Sequence, residues 1–152
     1  MMSPQGAEHG ELVAKVNDWS HDVVDRQRIK IRIQSSIEIR TSDSQPEPDV
    51  VWAEAKSYLQ RLPQPPDILL LVEVADRSLS FDLGEKRLLY GEAGIRDYWV
   101  VDIPGGMVHI FRDPRTGGYR THKRFSAPDI VSPLLAGGIS PKVSDLFECL
   151  ER

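Results

Sequence analysis

Residues 68–74 read ILLLVEV. The run has no polar face, so it is expected to be a central β-strand covered on both sides. The exception is Glu73, whose charge would be costly there unless it is neutralised, paired with a cation or bound to a metal. Just upstream, Asp49 opens a short strand over 50–53, after the turn-rich loop TSDSQPEP at 41–48. If these two strands pair antiparallel, the start of one lies beside the end of the other, and Asp49 meets Glu73 at one edge.

Downstream, DLGEKRLLYGEA at 82–93 predicts a helix, with Asp82 as its cap, Glu85 three residues on, and Gly94 as a left-handed stop. Asp82, Lys86 and Tyr90 then share one helix face. YWVVD at 98–102 predicts a strand, Pro104-Gly105-Gly106 a turn and 107–112 its hairpin partner, with one more strand over 119–125. At the start of the chain, Leu12, Val13, Val16, Trp19, Val23 and Val24 recur with helical spacing, with His9 and Gly10 just ahead of the helix and Asp25 at its end. From Arg28 the period becomes two and runs to Ile39, a half-buried strand bent or broken at Ser35-Ser36. The connection 54–67 is expected to hold a helical turn around Tyr58. The element order predicts an α/β (α+β) fold: one domain over 1–152, a central mixed sheet flanked by helices, and a C-terminal β-hairpin extension.

Two hard carboxylate ligands with positions left for water and phosphate suit Mg²⁺ or Mn²⁺. A nearby ammonium adds what phosphodiester hydrolysis needs, because it can orient a nucleophile or stabilise the charged transition state. Each residue has a plainer reading: Glu73 in an ion pair with Arg87, Asp49 ending a loop, Asp82 as an N-cap, Lys86 solvated and Tyr90 half-buried. His9, His21, His109 and His122 show no zinc spacing. Trp19, Trp52 and Trp99 read as core or subunit-interface residues.

Composition bounds the rest. The 152 residues carry a net charge of −4, which argues against a nucleic-acid partner taken as an average. That average conceals segregation. Arg26, Arg28, Lys30, Arg32 and Arg40 against Glu38 make 26–40 locally +4, and Arg115, Arg120, Lys123 and Arg124 make 115–124 another +4. Such segments permit phosphate contact on an acidic protein, and Arg28, Lys30 and Arg32 are the candidates. One cysteine, Cys149, excludes an internal disulfide and suits a cytoplasmic protein. No apolar stretch is long enough to cross a membrane, and the first ten residues lack the pattern of a signal peptide.

PEPDVVW at 46–52 and LLLVEVADRSLSFDLGEKRLLYGEAGIRDYWVVD at 69–102 resemble the Uma2-type (DUF820) endonucleases of the PD-(D/E)xK, restriction-endonuclease-like superfamily. EHG at 8–10 resembles the family's histidine-containing first helix, so the likeness runs from about Pro4 to the C-terminus. It implies a metal-dependent endonuclease acting on DNA, with Asp49 and Glu73 holding Mg (or Mn) and the Val74 carbonyl as a further ligand. The superfamily's lysine two residues after the glutamate is replaced by Ala75, and the resemblance implies that Lys86 takes its role. It also implies that Ser78, Asp82, Tyr90 and His9 support the site. Relatives carry a further N-terminal strand pair with an E-L-x-x-G motif, which is expected to be missing from this chain. The alternatives are a catalytically inactive nucleic-acid- or protein-binding module on the same fold, and a nuclease complete only as an oligomer, a dimer being favoured.

Overall fold

The apolar run extends by one residue into β3 (Ile68–Ala75), the third strand of a six-stranded sheet. In this computed structural model, which describes residues 6–135 and 140–151, the strands lie side by side in sequence order. They are β1 (Ile29–Ile33), β2 (Val50–Glu54), β3, β4 (Asp97–Asp102), β5 (Met107–Arg115) and β6 (Gly118–Ser126). β3 and β4 pair in parallel and every other neighbouring pair is antiparallel, so the sheet is mixed. A parallel pair needs a crossover, supplied by α2 (Leu79–Leu83) and α3 (Glu85–Ala93). The β5–β6 hairpin extends the sheet on the far side.

The lack of a polar face on β3 follows from burial on both sides. Leu70, Val72 and Val74 join a core with Leu12, Val13 and Val16 of α1 (Ala7–Val23) and Val143 and Leu146 of α4 (Val143–Phe147). Leu71 and Ala75 point the other way, into a second core with Tyr90 of α3, Tyr98, Val100 and Phe111. Glu73 alternates with the first set and therefore faces the α3 side. Trp52 and Trp99 belong to the core, and Trp19 packs against it. Trp19 packs on Trp52 and Trp99 at centroid distances of 5.2 and 5.7 Å, and the Trp52 indole N–H donates to Ser20 Oγ at 2.8 Å.

Three sequence expectations change and one is sharpened. The first helix begins at Ala7, which brings His9 inside it. Of the two readings for the strand from Arg28, bent or broken at the serines, the break is the one that forms: β1 ends at Ile33, Gln34 turns to φ +46°, and the Ser35 hydroxyl donates to the Ile33 carbonyl at 3.0 Å. A serine that offers the backbone a local partner competes with the ladder. Ile37 and Ile39 still reach the second core, as loop residues. No helical turn forms at Tyr58, whose hydroxyl is spent on the Glu54 carbonyl at 2.6 Å. Finally, the helix expected over 82–93 is two helices broken at Gly84, and Asp82 lies inside the first of them instead of capping the second. Gly94 does end α3 in the left-handed conformation, at φ +88°.

The 55–67 connection is tied down by Asp67, which caps a 3-10 turn at Pro65–Asp67 and pairs with Lys56 at 2.7 Å and Arg61 at 2.9 Å. Burial pushes the Asp67 carboxyl up, but Lys56, the Gln64 N–H and Arg61 outweigh it and hold the pKa at about 2, against an ordinary 3.8. The stabilisation is therefore present above the ordinary value and is lost as pH falls through about 2. Asp67→Asn is expected to lower stability at neutral pH. Chemical denaturation should show the gap from wild type closing on acidification, and a gap independent of pH would refute the assignment.

Candidate active site

The register places the acidic pair. β2 begins at Val50, opposite Val72 of β3, so the residue before β2 lies beside the end of β3. There the Asp49 N–H donates to Glu73 Oε1 at 3.0 Å, and the Val74 N–H donates to Asp49 Oδ2 at 2.8 Å. Each carboxylate is held by the main chain of the other's strand. The backbone of β3 does more here. The Ala75 carbonyl accepts from the Ile103 N–H on the β4 side, so the carbonyl of Val74, one residue earlier, faces the β2 side, beyond the point where β2 begins.

The helices supply the cations. Lys86 of α3 donates its ammonium to Glu73 Oε2 and lies 3.8 Å from Asp82 Oδ1. The Tyr90 hydroxyl, one turn further along, donates to the same Glu73 oxygen at 3.1 Å. Tyr90 is fully buried, not half-buried. Arg87, the plainer partner for Glu73, gives its Nε–H to the Leu83 carbonyl instead. Asp82 is fixed by Ser78 Oγ at 2.9 Å, and its own carbonyl accepts from the Tyr98 hydroxyl at 2.8 Å. From α1, His9 Nε2 reaches Asp49 Oδ2 at 3.2 Å. Thus His9, Asp49, Glu73, Val74, Ser78, Asp82, Lys86 and Tyr90 form one connected group, contributed by four stretches of the chain.

Electrostatics follow from depth. The Glu73 side chain is 3% exposed against 13% for Asp49 and 20% for Lys86, so the group opens to solvent on the Asp49 and Lys86 side. Burial raises the Glu73 carboxyl to about 7, with the Lys86 charge opposing. Burial likewise raises Asp82. Burial disfavours charge on Lys86, but the Glu73 carboxylate more than offsets it, and the net shift is upward. The hydrogen bond to Asp49 raises His9 against the effect of its burial. Burial also raises Tyr90, which stays a phenol.

Among the described residues no three His, Cys, Asp or Glu side chains are grouped to hold a metal. The Asp49 and Glu73 carboxylates and the Val74 carbonyl are hard oxygen donors, of the kind that fits Mg²⁺ held through one or two carboxylates with water and substrate phosphate.

The basic candidates are not grouped in the same way. Arg32, paired with Val51, lies on the Asp49 side of β1, whereas Arg28 lies beyond its other end, about 16 Å along the strand from Ile33. Lys30 and Arg32 stand over the Tyr58 ring at 5.7 and 5.4 Å. Sequence reasoning missed a second polar chain: Asp102 Oδ2 meets His109 Nε2 at 3.0 Å, and His109 Nδ1 meets His122 Nε2 at 2.9 Å. The signal lay in the hairpin register. With Asp102 opposite Met107, His109 is its diagonal neighbour on the same face.

Comparison with known proteins agrees with this architecture. A crystal structure of a putative nuclease belonging to DUF820 from Anabaena variabilis ATCC 29413 superposes with a TM-score of 0.73 at 16% identity, over 99% of this chain and 85% of that one. No curated protein matches. The family model described as "Uma2: Putative restriction endonuclease" matches residues 1–144. With nearly the whole chain matched and the fold shared, this chain belongs to the Uma2 family of restriction-endonuclease-like proteins.

Proposed function

We propose that this chain is a metal-dependent endonuclease that hydrolyses phosphodiester bonds of nucleic acid, with DNA as substrate. The observation that carries the reading is the meeting of Asp49 and Glu73 at the end of β3 with the Lys86 ammonium on Glu73. Asp49, Glu73 and the Val74 carbonyl would hold Mg²⁺ or Mn²⁺, which when bound supplies neutralisation of phosphate charge and activation of water. The Val74 N–H and His9 orient the Asp49 carboxylate, and the Asp49 N–H and Tyr90 orient Glu73. Lys86, partly exposed and steadied by Asp82, is placed to orient the attacking water or stabilise the transition-state charge. Arg32 and Lys30 contact the backbone of the bound strand. Cys149 as the single cysteine, and the lack of a membrane-crossing helix among the described residues, fit a cytoplasmic location.

Asp49→Ala and Lys86→Ala are expected to lower cleavage of plasmid or oligonucleotide in Mg²⁺ or Mn²⁺ by about 100-fold or more, with circular dichroism unchanged. Equal cleavage by wild type and both variants would end this assignment. One observation favours a second reading, a binding module without catalysis. Both Glu73 oxygens already accept protein donors, so the polar group is closed upon itself. Mn²⁺ titration separates the two: binding that disappears in Asp49→Ala supports the nuclease, and absence of binding to wild type supports the module.

A further inference from the structure

A cleft of about 530 Å³ lies between the start of β4 and the β5–β6 hairpin, lined by Arg96, Asp113, Pro114, Arg115, Arg120 and Leu134. It is remote from the acidic pair. Glu73 is level with Val100 on β4, and Arg96 is four residues earlier, about 13 Å along the strand. All three arginines are exposed, and among the described residues none of them has a carboxylate partner. The one acid in the lining, Asp113, has Oδ2 committed to the Thr121 hydroxyl at 2.7 Å. Guanidinium groups left unpaired around a concavity are suited to bidentate binding of phosphate.

The opposite wall is apolar and is held in position. The Leu134 N–H donates to Asp97 Oδ2 at 2.8 Å, and Asp97 is fully buried. Arg112 clamps that same carboxylate with Nε–H at 3.0 Å and reaches the Ser132 carbonyl. Leu134 is 53% exposed, so its side chain is presented outward beside Pro114. On the strand side, Asp113 adopts φ +58° between the pairs Arg112–Thr121 and Pro114–Tyr119. That turn of the backbone is unfavourable for a non-glycine residue and is found where the surrounding structure enforces it.

We propose that this cleft is a second binding site, for a phosphorylated ligand whose phosphate lies on Arg96, Arg115 and Arg120 and whose apolar part rests on Pro114 and Leu134. A nucleoside phosphate has this chemistry, whether it is a free nucleotide or one unit of a nucleic-acid strand. The site shares no residue with the acidic pair, so it stands or falls separately from the cleavage reading.

The test uses two probes in EDTA at physiological ionic strength: ATP by isothermal titration calorimetry, and a labelled single-stranded oligonucleotide by fluorescence anisotropy. Arg115→Ala/Arg120→Ala is expected to weaken binding of at least one probe by about tenfold or more, as loss of charge-assisted hydrogen bonds implies. Arg115→Lys/Arg120→Lys, which keeps the charge but loses the guanidinium fork, is expected to weaken it as well. A loss confined to ATP identifies a free nucleotide as the ligand, and a loss confined to the oligonucleotide identifies the strand. Failure of wild type to bind either probe, no response to the alanine pair, or full binding by the lysine pair would overturn the proposal. Circular dichroism melts confirm that the exposed substitutions leave the fold intact.

Discussion

Glutamine in place of Glu73 is expected to eliminate metal-dependent cleavage while raising the melting temperature measured in EDTA above neutral pH. The two effects have one cause. Glu73 is a carboxylate in a fully apolar strand, and its pKa stands at about 7 against an ordinary 4.5 because burial disfavours the charge. The sign follows: its contribution favours the fold below the ordinary value and is lost as pH rises through about 7. Glutamine removes that loss and can still accept from the Asp49 N–H, while Lys86 turns to Asp82, already 3.8 Å away.

A gain of up to about 3 kcal/mol is expected, the linkage value of a carboxyl moved from 4.5 to about 7, read as several degrees in a chain of this size. Added Mn²⁺ should then raise the melting temperature of wild type and not that of the variant, since a ligand stabilises only a state that binds it. A Glu73→Gln protein that melts lower in EDTA, or that still responds to Mn²⁺, would contradict this account.

The largest loss of stability is expected from Gly91→Ala. A Cβ at Gly91 would lie 2.2 Å from the Gly118 carbonyl oxygen and 2.6 Å from its Cα, so helix α3 touches β6 backbone to backbone. Neither side can yield by a rotamer change, and the helix must lift from the sheet, at a cost of about 3 kcal/mol or more. Because α3 carries Lys86 and Tyr90, cleavage should fall together with stability. Gly10→Ala is the matched control. It sits within α1 with nothing inside 4 Å of the new methyl group, and alanine there is expected to stabilise by about 0.5–1 kcal/mol. Urea denaturation of the two variants beside wild type checks both signs.

Much of this architecture is legible from side-chain type alone. The ILLLVEV run marks a doubly covered strand, and the placement of Asp49 beside Glu73 follows once 50–53 and 68–74 pair antiparallel. The helix break at Gly84 is less legible. The Asp82–Glu85 spacing imitates a capping box, yet Asp82 is drawn into α2 by Ser78 and Tyr98, contacts that local pattern does not carry. Lys86 still comes within reach of Asp82, because the break leaves them one turn apart. The Asp102–His109–His122 chain was hidden for another reason. Its members are diagonal neighbours on three successive antiparallel strands, which only the register of the two pairings brings together.

The placement of the two +4 segments bears on self-association. Lys30 and Arg32 of the first lie on β1, and Arg120, Lys123 and Arg124 of the second lie on β6, the two outer strands of the sheet. An outer strand presents unpaired N–H and C=O groups to any similar strand nearby, and rows of lysine and arginine are one way of discouraging that encounter. Two copies meeting rim to rim, β1 on β1 or β6 on β6, would press like charges together, and β1 on β6 would do the same. Edge-to-edge pairing in the plane of the sheet is therefore expected to be discouraged at low ionic strength, and less so as salt screens the two rims.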